Sequence, residues 1–127
     1  MLVYRIEHEN GQGAFDAGLA RLHDDHTSLG VSAYDHPAPR SYGEQGTPLA
    51  RLFGYSDEQQ NYYFGCRSKP QLRMWFRSEA GRRAMAAEGG MMVTYDVPEE
   101  HLARGRYQVA FRKDHATQVS AVPADQW

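Results

Sequence analysis

His23-Asp24-Asp25-His26 sets two imidazoles three residues apart with carboxylates between them, and Asp35-His36 follows. That is ligand chemistry for zinc or another divalent cation. No third ligand is fixed by spacing, and the same residues read equally as a solvated helix end, so neither a metal nor another cofactor is expected. Cys66, the one cysteine in the chain, becomes a nucleophile only if an imidazole such as His36 approaches and lowers its pKa. It alternates in step with Tyr62 and Phe64 and reads more simply as a small apolar side chain. Ser68 stands where a helix N-terminus offers free N–H groups to an anion, although a capping role already accounts for it. Arg5 and Glu7 share one face of an N-terminal strand; they pair with each other in solvent, or, if the face is covered, Arg5 needs an anionic partner. Tyr34, Tyr42, Tyr55, Tyr62 and Tyr63, with Arg40 and Arg51 among them, offer stacking to a nucleobase or rigid contact area to a protein. Walker, dinucleotide-fingerprint, nucleophile-elbow and zinc-finger patterns are absent from the sequence, and no catalytic residue is assigned.

The elements that must position these groups begin with a strand over Leu2 to His8, alternating Leu2, Tyr4 and Ile6 against Val3, Arg5 and Glu7. Asn10-Gly11 breaks it. Phe15, Leu19 and Leu22 fall at helical spacing and predict a short helix from Ala14 to His23. From Asp24 to Asn61 periodicity is lost, which predicts a long central loop. An aromatic strand at Tyr62 to Arg67 then runs into a helix whose start is written out, with Ser68 as cap, Pro70 in the first turn and Gln71 at capping-box spacing. Leu72, Trp75 and Phe76 supply its apolar stripe. Ser78 starts a second helical segment from Glu79 to Glu88, stopped by Gly89-Gly90. Strands follow at Met91 to Val97 and Tyr107 to Arg112, with Gln108 on the second, and residues 113–127 read as a loosely packed tail. The expectation is one α+β domain over residues 1–127 with one mixed, mainly antiparallel sheet, two to three short helices and the loop 24–61.

A chain of 127 residues buries a core without disulfides or metal. Its formal charge of -2, from Lys+Arg 14 and Asp+Glu 16, provides no global field for nucleic acid or an anionic membrane. No apolar run reaches the length of a signal peptide or a membrane span, so a soluble, cytoplasmic protein is expected.

Tyr4-Arg5-Ile6-Glu7-His8, Gly11-Gln12-Gly13, His36-Pro37-Ala38-Pro39, Phe64-Gly65-Cys66-Arg67-Ser68 with Gln71-Leu72 and Trp75-Phe76, and Tyr95-Asp96-Val97-Pro98 leading to Gln108-Val109-Ala110-Phe111 together make a pattern. It resembles a group of small uncharacterised proteins of bacteriophages and prophages, over most of the chain. The resemblance implies a phage context, and hence the host cytoplasm, without an activity. The layout is also similar to compact ADP-ribosyltransferase domains: an arginine on the first strand, a strand ending in serine before a helix, and a late strand with a polar residue. That likeness implies that Arg5, Ser68 and Gln108 grip an NAD-like molecule. Gln108 stands where such domains carry a glutamate and cannot bear its charge, so binding is expected ahead of transfer.

The combined expectation is a nucleotide-like ligand, related to ADP-ribose or NAD, held by Arg5, His36, Arg40, Tyr63, Ser68 and Gln108 and sequestered or modified in counter-defence. The alternative is a non-enzymatic inhibitor of a host protein acting through the tyrosine-rich loop. Homo-oligomers are compatible with either.

Overall fold

The computed structural model describes residues 1–27, 32–39, 42–55 and 60–127. The chain is α+β, and its strands form two three-stranded antiparallel sheets. In the first, β1 (Leu2–His8) and an edge strand flank the central β3 (Gly90–Asp96), giving the order β1-β3-β6 with β6 at Thr117–Pro123. In the second, β2 (Tyr62–Gly65) and β4 (Leu102–Arg104) flank β5 (Val109–Arg112). Every pairing is antiparallel.

In place of the one mixed sheet expected, the two antiparallel sheets meet at a joint. Tyr4 and Cys66 exchange backbone hydrogen bonds of 2.8 and 2.7 Å, so the chain leaving β2 docks on β1 and the strand set folds back on itself there. Gly65 makes the fold possible: a Cβ at this position would collide with Val3 Cγ1 and come within 3.0 Å of the Tyr4 carbonyl oxygen. The same bend takes Cys66 out of step with Tyr62 and Phe64. It joins the Ile6, Leu72 and Trp75 core, while Tyr62 and Phe64 pack with Leu49 and Ala110.

Three apolar layers result. Val3, Val93, Tyr95, Val97, Val109 and Phe111 lie between the sheets. On the far face of the first sheet, Ile6 and Met92 meet α1 (Leu19–Asp24), α3 (Lys69–Trp75) and α4 (Glu79–Ala87) through Leu19, Leu72, Phe76 and Met85. On the far face of the second, Leu49 of α2 (Pro48–Tyr55) rests on Ala103 and Ala110.

The caps of α3 and α4 stand where the sequence puts them. Ser68 Oγ accepts from Gln71 N at 3.1 Å, and Gln71 Oε1 accepts from Arg67 N at 2.9 Å, a reciprocal pair one residue wider than the usual capping box. Ser78 Oγ accepts from Gly81 N at 3.0 Å. Elsewhere the structure differs from expectation. The helix expected from Ala14 shrinks to Leu19–Asp24 because Gly18, at φ 77°, sets the chain in a left-handed turn just before it, and Phe15 is left 44% exposed. The long loop contains α2. The tail is not loose: β6 pairs with β3, Ala124 is fully buried, and the Trp127 ring lies 4.6 Å from the Arg73 guanidinium. Arg82 on α4 is buried and donates to the Phe76 carbonyl at 2.8 Å.

Candidate functional site

Beside the joint between the sheets lies a cavity of about 900 Å³. Its walls come from three places: β1 with the following strap at residues 10–16, the loop at 33–39, and β2 running into α3. Arg5, His36, Tyr63 and Gln108 all line it. Ser68 does not, since its hydroxyl is committed to the α3 cap. Arg40 lies outside the described residues.

Arg5 is 6% exposed and is covered by the second sheet and by the strap at Gly13. Its Nε lies 3.1 Å from Glu7 Oε2. Neither Nε nor Nη1 meets an acceptor at hydrogen-bond geometry among the described residues. Its guanidinium sits 5.4 Å from the Tyr63 ring and 5.9 Å from the Phe111 ring. A Cβ on Gly13 would fall 2.6 Å from Arg5 Nη2, so glycine there lets the strap close over the cation. Burial lowers the Arg5 pKa, opposed chiefly by the Glu7 carboxylate.

Glu7, also buried, serves three partners. Tyr95 Oη donates to Oε2 at 2.6 Å, Lys113 Nζ donates to Oε1 at 3.2 Å, and Arg5 shares Oε2. Burial raises the Tyr95 phenol well above its ordinary value, and its bond to Glu7 adds to the rise. Lys113 also lies 5.4 Å from the Tyr63 ring, so two cations share one aromatic ring and one carboxylate.

The opposite wall is aromatic. His36 stacks on Trp75 at 4.5 Å and 21°, and Phe15 stands edge-on to Tyr34 at 4.9 Å. Two carboxylates, one half-buried and one buried, fix this wall from behind. Asp24 accepts from Ser32 Oγ at 2.5 Å and from Ala33 N and Tyr34 N at 2.8 and 3.3 Å. Desolvation opposes its ionised form, but bonds from Ser32, His23, Ala33 and Tyr34 outweigh it and hold the pKa below the ordinary value. Glu44, fully buried, accepts from Arg106 N at 2.6 Å and Tyr107 N at 3.4 Å. Trp75 Nε1 donates to the Tyr107 carbonyl at 2.9 Å, and Gln108 Nε2 to that of Pro37 at 2.9 Å. Gln108 stands just before β5 rather than within a strand, in a turn closed by Gly105 N to Gln108 O at 2.9 Å.

The other chemical candidates have structural occupations. His23 Nδ1 pairs with Asp24 at 2.8 Å while its Nε2 accepts from Ser78 N at 3.1 Å, so this imidazole clasps α1 to α4. Among the described residues no three His, Cys, Asp or Glu side chains are grouped as a metal site. The Cys66 thiol is pushed up to about 12 by burial, with Arg67 opposing, which disfavours the nucleophilic thiolate. Sequence reasoning did not name Phe15, Asp16 or Trp75 as cavity residues, whereas Tyr34, Tyr62 and Tyr63 of the tyrosine set do line it. The Phe15 and Trp75 stripes read as helix packing, and nothing in the spacing distinguishes a core tryptophan from one at a cavity wall.

No helix among the described residues is long and apolar enough to cross a membrane. No solved structure matches the chain. A curated relative, the uncharacterized 19.7 kDa protein in the motB-dexA intergenic region of Enterobacteria phage T4, is 34% identical over 55 residues. The match covers 43% of this chain and 32% of the relative, so the chain spans about a third of the length of the curated relative it matches. The model of the bacteriophage T4 Y00F protein family matches residues 1–125, nearly the whole chain, and the protein belongs to that phage family.

Proposed function

We propose that the cavity binds a nucleotide-like ligand of the ADP-ribose or NAD class, and that the protein acts by holding it. The observation that carries this is Arg5, a buried cation on the cavity wall whose carboxylate partner is shared with Lys113 and whose Nη1 lacks an acceptor among the described residues. A buried cation so poorly matched favours an anion such as a phosphate. The stacked His36–Trp75 pair and the Phe15–Tyr34 pair give a planar ring an apolar wall in the same cavity.

The likeness in layout to ADP-ribosyltransferase domains suggests the ligand class, with Arg5 and Gln108 on the cavity wall and Ser68 outside it. Arg5 is on β1, Ser68 follows β2 by three residues and Gln108 precedes β5, and these strands are neighbours around the joint. The Gln108 amide carries no negative charge, which favours sequestration over transfer. In a phage-type protein, withdrawing such a molecule from host enzymes is a counter-defence role.

Calorimetric titration with NAD, ADP-ribose and cyclic nucleotides tests the proposal. At least one should bind, and Arg5→Lys, which keeps charge but loses the guanidinium fork, should weaken it about ten- to hundredfold. If none binds the wild-type chain, the reading is wrong. The exposed Phe15–Tyr34 pair at the cavity mouth would then serve the protein-inhibitor alternative, tested by Tyr34→Ala in a pull-down of host proteins.

A further inference from the structure

We infer that Lys113, which is not among the cavity-lining residues, determines how strongly Arg5 attracts an anion, by drawing off half of the one carboxylate buried beside it among the described residues. The inference rests on the anion-binding reading above and names a residue that acts without touching the ligand.

Glu7 is 5% exposed, so water does little to screen it. Its two oxygens are divided: Oε1 takes the Lys113 ammonium at 3.2 Å, and Oε2 is shared between the Tyr95 hydroxyl at 2.6 Å and Arg5 Nε at 3.1 Å. Two cations and one anion leave the cluster with a net positive charge. Asp16, exposed at the cavity mouth, feels Arg5 but is screened by solvent. Remove the ammonium and Glu7 neutralises Arg5 alone, so the cavity loses its pull on a phosphate. Remove the carboxylate charge and both cations act on the ligand. Lys113 also reaches the Gly11 carbonyl at 3.5 Å, which ties the strap to the same cluster.

The two substitutions therefore shift affinity in opposite directions, whereas a merely structural role would weaken binding in both. The test is titration of the wild-type chain, Lys113→Met, Lys113→Arg and Glu7→Gln with ADP-ribose at low ionic strength. Lys113→Met should weaken binding about three- to tenfold, Lys113→Arg should restore it, and Glu7→Gln should tighten it by a similar factor. Lys113 is partly exposed, with 26% of its side chain accessible, so Lys113→Met is expected to fold, and the Met and Arg variants decide the matter if Glu7→Gln does not. Unchanged or tighter binding by a folded Lys113→Met chain overturns the inference while leaving the binding site intact. Absence of ADP-ribose binding by the wild type overturns the reading beneath it.

Discussion

One face of β1 carries Val3 at one end and Arg5 and Glu7 at the other, and the two ends are built by different chemistry. At Val3 the sheets close on each other through Val97, Val109 and Phe111, with Gly65 permitting contact too close for a side chain. At Glu7 the same space between sheets holds a carboxylate, two cations and the Tyr95 hydroxyl. Apolar residues of similar volume at the second end would often be as stable or more so. The lesson is a division of labour along a single strand: one end fastens the sheets, and the other keeps a charge in reserve beside a cavity.

The sharpest way to break this comparison is Glu7→Ala. It strands Arg5 and Lys113 without their carboxylate and should cost about 3–5 kcal/mol, read from urea unfolding. A loss below about 1 kcal/mol, the range of an exposed ion pair, would mean the charged end is held in some other way. Next comes the apolar end, where Gly65→Ala forces a Cβ into Val3 and should cost about 1–3 kcal/mol, by the same measurement. Wild-type stability there would show that the sheets part easily, and that the contrast between the ends is one of residue type alone.

Ser68→Ala belongs to neither end. It should cost about 1 kcal/mol through the lost α3 cap and leave titration with ADP-ribose unchanged; a weakened affinity would bring Ser68 into the site. The smallest effect concerns Asp24, which props the cavity wall from behind. Its folded pKa lies below the ordinary 3.8, so its stabilising contribution is present above that value and is lost as pH falls through the depressed one. Trp75 fluorescence, sensitive to the stacked His36 ring, should change on acidification below about pH 3.8 in the wild type, and should already be altered at neutral pH in Asp24→Asn. Indifference of both would detach the wall from its carboxylate.

Local signals in the sequence carried the parts of the fold that local chemistry decides. Ser68, Pro70 and Gln71 mark α3, Ser78 and Gly89 bracket α4, and the alternation at Met91 to Val97 marks β3. What stayed hidden depends on distant partners. β6 is exposed along most of its length, so no alternation of buried and exposed positions betrays it, and its pairing with β3 makes it a strand. Gly18 delays the helix expected from Ala14 until Leu19, because its left-handed turn outweighs the Phe15, Leu19 and Leu22 spacing. For the site, the choice between a solvent pair and a buried cluster at Arg5 and Glu7 turned on Lys113 and Tyr95, each about ninety residues or more away in sequence. Glu44 and Asp24 were illegible for the same reason, since a carboxylate that caps loop amides has no fixed spacing to them.

The pairing of β1 also has a consequence in time. Its ladder partner is Gly90–Asp96, and its second neighbour is Cys66, so during synthesis β1 waits for residues far along the chain before its ladder can form. Non-local pairings of this kind make folding slow, because a long loop must close before any contact rewards it. While it waits, the strand is a bare edge carrying the residues Leu2, Val3, Tyr4 and Ile6. In the finished molecule Arg5 and Glu7 are a buried ion pair beside the cavity; in the nascent chain they are the charges that interrupt an aggregation-prone run.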